Sequence, residues 1–130
     1  MKITKIKETC LYVSDLDQTA SFYHGVLGFP VITREEGRHI FFRAGSSVLL
    51  CFIAEATAKD EKLPPHYGTG TLHLAFEVEH QDYLSVKKTL EAQGIHIIHE
   101  QQWREGVDSF YFHDPDGHVL EIVPKGMWGD

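Results

Sequence analysis

No stretch of this chain is apolar for long enough to cross a bilayer, and its opening residues, Met1-Lys2-Ile3-Thr4-Lys5-Ile6-Lys7, alternate in polarity instead of building a secretion signal. Cysteine is scarce. Cys10 and Cys51 are the two in 130 residues, too few and too isolated for a disulfide framework, so a reducing cytoplasm is the expected location. Basic residues are outnumbered, with 12 Lys and Arg against 19 Asp and Glu, and the formal charge is −7. With no basic stripe, nucleic acid and anionic membranes are not expected partners. Nine histidines would add positive charge in mild acid. What remains is 42% apolar and 24% charged, the balance of a globular chain long enough for one domain with a real core.

Hydropathy alternates from Ile6 to Val13, which predicts a strand with Glu8, Cys10 and Tyr12 on one face. Ser14-Asp15-Leu16-Asp17 then offers side-chain oxygens to cap a helix. Leu16, Ala20, Tyr23 and Leu27 follow at helical spacing, and Gly28 stops the run. Strand-like segments come next at 29–33, 39–43 and 47–53, broken by Gly37 and Gly45. From Ala54 to Thr71 the pattern disappears into charges, Pro64-Pro65 and Gly68-Thr69-Gly70. A connection of that length inside a domain is more often functional or disordered than idle, and His66 within it is a candidate substrate contact.

The second half repeats the order. A strand is expected at 72–78 with His73, Ala75 and Glu77 opposite an apolar row, then a helix at 81–93 closed by Gly94. Strands at 95–99, 109–113 and 119–123 follow. The last two flank Asp114-Pro115-Asp116-Gly117, a tight-turn sequence that reads as a β-hairpin, with His113 and His118 expected in solvent beside it. The expected architecture is α+β: two tandem βαβββ modules forming a curved, partly closed mixed sheet around a central cavity, helices outside. Module one spans about residues 4–54, the linker about 55–70 and module two about 71–125.

Overlaying the halves by their own landmarks aligns Glu8 with His73, each on the face opposite the apolar row of a first strand. Glu121, between Leu120 and Ile122, also faces away from the helix-covered side. Singly, each fits an ordinary solvated or sheet residue. Converging in one cavity, an imidazole and two carboxylates would hold a divalent cation with positions left open. Two anionic ligands favour harder ions such as Mn²⁺ or Fe²⁺, with Zn²⁺ and Ni²⁺ also compatible.

The run Val13-Ser14-Asp15-Leu16-Asp17, Phe22-Tyr23, Val26-Leu27-Gly28-Phe29, His73-Leu74-Ala75-Phe76 and Phe112-His113-Asp114-Pro115-Asp116-Gly117 through Glu121 resembles the vicinal oxygen chelate superfamily. That superfamily includes glyoxalase I, bleomycin-resistance proteins, extradiol dioxygenases and fosfomycin-resistance thiol transferases. The resemblance places metal ligands at Glu8, His73 and Glu121, where the first is more often His or Gln. The additional carboxylate of glyoxalase I falls on Leu50, and Glu8 breaks the dioxygenase set of two histidines and one glutamate. Ser109 and Tyr111 match the phosphonate-contacting positions of fosfomycin-resistance enzymes, but a lysine and a threonine of those enzymes correspond to Gln101 and Cys10. It further implies a homodimer with exchanged halves, so that Glu8 can come from one subunit and His73 with Glu121 from the other.

Cys10, His66, Trp103, Arg104, Ser109 and Tyr111 are the expected substrate contacts, Trp103 with Arg104 forming a wall suited to an aromatic or carboxylate-bearing ligand. Two functions are compatible with this set. One is a metal-dependent enzyme of the glyoxalase or dioxygenase-like type, acting on a small substrate chelated through vicinal oxygens, with Glu8 or Glu121 doubling as the base. The other is a metal-free protein that sequesters an aromatic compound, as bleomycin-resistance proteins do.

Overall fold

Alternation in the first segment produces β1 (Glu8–Tyr12), whose inward Leu11 is almost wholly buried. In the computed structural model, which describes residues 1–129, the chain divides into two units, Met1–Gly70 and a second beginning at Thr71. After β1, Asp15 caps α1 (Leu16–Ala20), its Oδ1 accepting from the Gln18 amide at 2.8 Å. The helix widens into a π-helical turn over Ser21–Val26, and Gly28, at φ 75°, ends it in a backbone conformation that a side chain would strain.

Three strands complete the first unit, β2 (Val31–Glu35), β3 (His39–Ala44) and β4 (Ser47–Phe52), in the sheet order β1-β4-β3-β2. β1 runs parallel to β4 and the other pairs are antiparallel. Leu11, Ile40, Phe42, Leu49 and Cys51 are buried on one face with Leu16 and Tyr23 of the helical segment. The opposite face carries Glu8, Cys10 and Tyr12 in register with Val48, Leu50 and Phe52.

The second unit repeats the scheme. It contains β5 (His73–Val78), a 3₁₀ turn at His80–Asp82, α3 (Tyr83–Ala92), β6 (His99–Arg104), β7 (Val107–His113) and β8 (Val119–Pro124), with order β5-β8-β7-β6. β5 is parallel to β8, and β8 and β7 form the hairpin expected at Asp114–Gly117. Phe110, Phe112, Leu120 and Ile122 are buried with Tyr83 and Leu90 of α3. The fold is thus α+β, two tandem modules of four strands each.

Three local expectations are corrected. A short helix, α2 (Ala54–Ala58), occupies the start of the segment that showed no pattern, capped by no side chain. The strand expected at 95–99 lies at His99–Arg104 instead, because the Glu105-Gly106 turn sets its register on β7, pairing Arg104 with Val107. His118 is 1% exposed, not solvated, because its ring meets the backbone of Leu72, far away in sequence. Among the described residues no helix is long and apolar enough to cross a membrane.

Candidate functional site

β8 places Glu121 beside Tyr111 of β7 and Ala75 of β5, and those neighbours leave the carboxylate only 5% exposed. The solvated-face reading of Glu121 therefore fails. Burying a carboxylate is costly unless donors or a cation meet it. Here one oxygen, Oε1, lies 3.2 Å from Nε2 of His73, and the other, Oε2, is buried with no hydrogen-bond partner.

The state of His73 follows from its second nitrogen. Nδ1 is 2.8 Å from the carbonyl oxygen of Val119, which can only accept, so Nδ1 carries a proton and donates. In the neutral ring Nε2 is then a lone pair pointed at a carboxylate oxygen. Two acceptors at that distance repel unless a proton or a metal ion lies between them. A proton would satisfy Oε1 and leave Oε2 orphaned. A cation can engage Nε2 and the carboxylate together, and a carbonyl holding Nδ1–H is the usual way a metal-binding imidazole is oriented. The orphaned oxygen and the fixed tautomer fit a divalent ion. His73 is open on its other side, its side chain 52% exposed, which leaves access for a small molecule.

Polar groups surround this pair on the same sheet face. The Tyr111 ring lies between those of His73 and His99, at centroid distances of 6.0 and 5.7 Å. Desolvation pushes the Tyr111 phenol up; the Ser109 hydroxyl opposes this, and the Glu121 charge adds to it. Ser109 is fully buried and accepts from Nε1–H of Trp103 at 3.0 Å, while half of Trp103 stays in solvent. Arg104 is turned elsewhere, donating to the carbonyls of Gly126 and Met127 at 3.1 Å each. His99, whose Nε2 lies 3.0 Å from Gln101 Oε1, was not singled out from sequence. Its position two residues before Gln101 would have revealed it had the strand been placed correctly.

In the first unit, Glu8 is exposed at the start of β1 and Cys10 is half-buried beside Tyr12. The Tyr12 hydroxyl lies 2.6 Å from Nδ1 of His66, and burial first, then Cys10, push its phenol up. His66 also sets its ring against the edge of Phe52 at 4.9 Å, and its amide donates to Thr57 O. Gly68 lies on the Tyr12 ring so closely that a Cβ there would come within 2.5 Å of it. His39 and Phe41 stack at 4.1 Å on the same face. Burial, followed by the Arg38 charge, holds His39 below the ordinary imidazole range. The sheet faces thus differ: aromatic in the first unit, polar around a buried acid in the second. Among the described residues no three His, Cys, Asp or Glu side chains gather into a metal-holding group, so the pair His73–Glu121 stands by itself, with Glu8 on the other unit.

Known proteins resemble the chain throughout its length. It is 31% identical to the metallothiol transferase FosB of Bacillus licheniformis, over 93% of this chain and 75% of that protein. It is 32% identical to the glutathione transferase FosA of Serratia marcescens, over 92% of this chain and 80% of that one. Among solved structures, a lactoylglutathione lyase from Agrobacterium tumefaciens matches with a TM-score of 0.94 at 29% identity, covering all of both chains. The model of the Glyoxalase/Bleomycin resistance protein/Dioxygenase superfamily matches residues 5–122, and this chain belongs to that superfamily.

Proposed function

We propose that the chain is a metal-dependent enzyme whose small substrate chelates the ion through adjacent oxygens, with His73 and Glu121 as protein ligands and Glu8 as a third. One observation carries the reading: a tautomer-fixed imidazole facing a buried carboxylate whose second oxygen has no donor. A divalent ion, Mn²⁺, Fe²⁺, Ni²⁺ or Zn²⁺, supplies Lewis acidity toward an oxyanion developing on the substrate. The chain's own groups do the rest. Val119 O fixes the His73 ring, the Tyr111 ring lies alongside it, and the exposed part of Trp103, whose Nε1–H donates to Ser109, offers an apolar wall. The Glu121 carboxylate, screened from water, doubles as the proton acceptor, and Glu8 is a second candidate base. The chain works as a homodimer, which lets Glu8 be supplied by either copy.

Thiols are the first co-substrates to assay, because the names of FosA, FosB and the lyase each include one.

The test is titration of the metal-free protein with Co²⁺, followed by visible absorption. The parent is expected to bind, and His73→Ala and Glu121→Ala are each expected to weaken binding by at least about tenfold. Equal affinity in all three proteins sinks the reading, and a parent that binds no Co²⁺ leaves the metal-free binding protein in its place. Glu121→Gln adds a stability signature. Its amide can donate to His73 Nε2, so in chelator it should melt higher than the parent by about 3 °C, from roughly 1 kcal/mol, while binding Co²⁺ less well.

A further inference from the structure

The mechanism above makes no use of the most deeply buried histidine. His118 is 1% exposed, at the end of the Asp114–His118 turn, and its Nδ1 accepts from the backbone amide of Leu72 at 2.9 Å. Leu72 immediately precedes His73. From there the contacts form a closed circuit. Leu72 O accepts from the Val119 amide at 2.8 Å, and Val119 O accepts from Nδ1–H of His73 at 2.8 Å. The turn is itself fixed: Asp114, 6% exposed, accepts at Oδ1 from the amides of Asp116 and His118 at 2.9 and 2.8 Å, and its own amide donates to His118 O.

We propose that His118 is a positioning residue for His73: its Nδ1 lone pair clamps the start of β5 to the start of β8, so that Val119 O meets the His73 ring and selects the tautomer with its proton at Nδ1. Two hydrogen bonds set the separation of the strands there, the Val119 amide to Leu72 O between main chains and the Leu72 amide to the His118 side chain. Without the second link β5 is free to fray at its first residue, beside a Leu72 that is already 42% exposed. Fraying moves His73 away from Val119 O, and the ring then divides between its two tautomers. A one-sided histidine ligand loses affinity when its orienting partner goes, by about 10–100-fold.

This inference rests on the metal reading of the pair, yet its first readout needs no metal. Long-range ¹H–¹⁵N NMR of the histidine rings, at about pH 8.5 where ordinary imidazoles are neutral, reports the tautomer of His73 directly. Two isosteric tests separate position from polarity. In His118→Asn the amide oxygen sits where Nδ1 sat; in His118→Gln it reaches one bond too far. The parent and His118→Asn are expected to show the Nδ1–H form of His73, and His118→Gln a mixture. Co²⁺ affinity should fall at least about tenfold in His118→Gln and stay within about threefold of the parent in His118→Asn. Unchanged tautomer and affinity in His118→Gln overturn the proposal, as does His118→Asn behaving no better than His118→Gln. If the tautomer shifts as stated while the parent binds no Co²⁺, the clamp stands and the metal reading falls.

Discussion

Glu121 and Tyr83 are the two residues whose buried oxygens most sharply oppose their surroundings. Both have an oxygen sealed from water without a hydrogen-bond partner, but they differ in what they can offer. The Glu121 oxygen sits beside an open imidazole, where the proposed ion would meet it. The Tyr83 hydroxyl lies at the base of α3 with its ring on Phe110, and it is pushed up to about 12, by burial first and then by Glu100, Asp108 and Glu121. Below pH 10 the phenol is neutral whether the chain is folded or not, and the fold is at full strength. Between 10 and 12 the unfolded chain ionises first, so stability drains away through that window. Tyr83→Phe should therefore flatten the alkaline loss of melting temperature. At neutral pH it should melt at or above the parent, since removing an unsatisfied buried hydroxyl is neutral or gains about 1 kcal/mol. A variant that melts lower at neutral pH and keeps the alkaline slope would refute this account.

At the scale of elements, the segment that looked patternless is ordered by contacts the sequence does not advertise. Asp60 takes amides from Leu63 and Lys62 and the Arg38 guanidinium, which together hold its carboxyl at about 2. Arg38 in turn lies over the Phe52 ring, and His66 closes on Phe52 and Tyr12. Gly68 then passes across Tyr12 with no room for a methyl group. Gly68→Ala should lift residues 66–68 from the sheet, seen as faster amide exchange in this segment while β3 and β4 stay protected. Unchanged exchange would mean that the Tyr12 ring swings aside instead.

The same comparison shows what the sequence can and cannot reveal. The strand at His73–Val78 was legible because Leu74, Phe76 and Val78 are half-buried on one face while His73, Ala75 and Glu77 are exposed on the other. The strand at His99–Arg104 was not, because it lies at the sheet edge and is polar on both faces. Alternation gave the direction of Glu121 but not its burial, which depends on Tyr111 across the hairpin. His118 was misread for a similar reason: a turn predicts solvent, and its burial comes from a partner 46 residues earlier.

For the whole molecule, the question is how two sheets of the same order came to such different faces. The positions of Leu50 and Glu121 correspond in the overlay of the halves, so one copy has a hydrocarbon where the other has an acid. Glu8 is the first unit's ionisable counterpart of His73, and the proposed homodimer makes a direct test of its role possible. Glu8→Ala and His73→Ala chains, each impaired for Co²⁺, are mixed and allowed to exchange. If ligands are shared between copies, each mixed dimer contains one intact set, and an equimolar mixture recovers about a quarter of the parental sites. No recovery would place Glu8 and His73 on the same chain's ion, or take Glu8 out of the ligand set.

The aromatic floor of the first sheet and the acid–imidazole pair of the second belong to separate hydrogen-bonded networks. Replacements at Phe41, Leu50 or Tyr12 therefore leave the contacts that hold His73 and Glu121 in place. A duplicated scaffold built this way lets one half drift while the other is held constant.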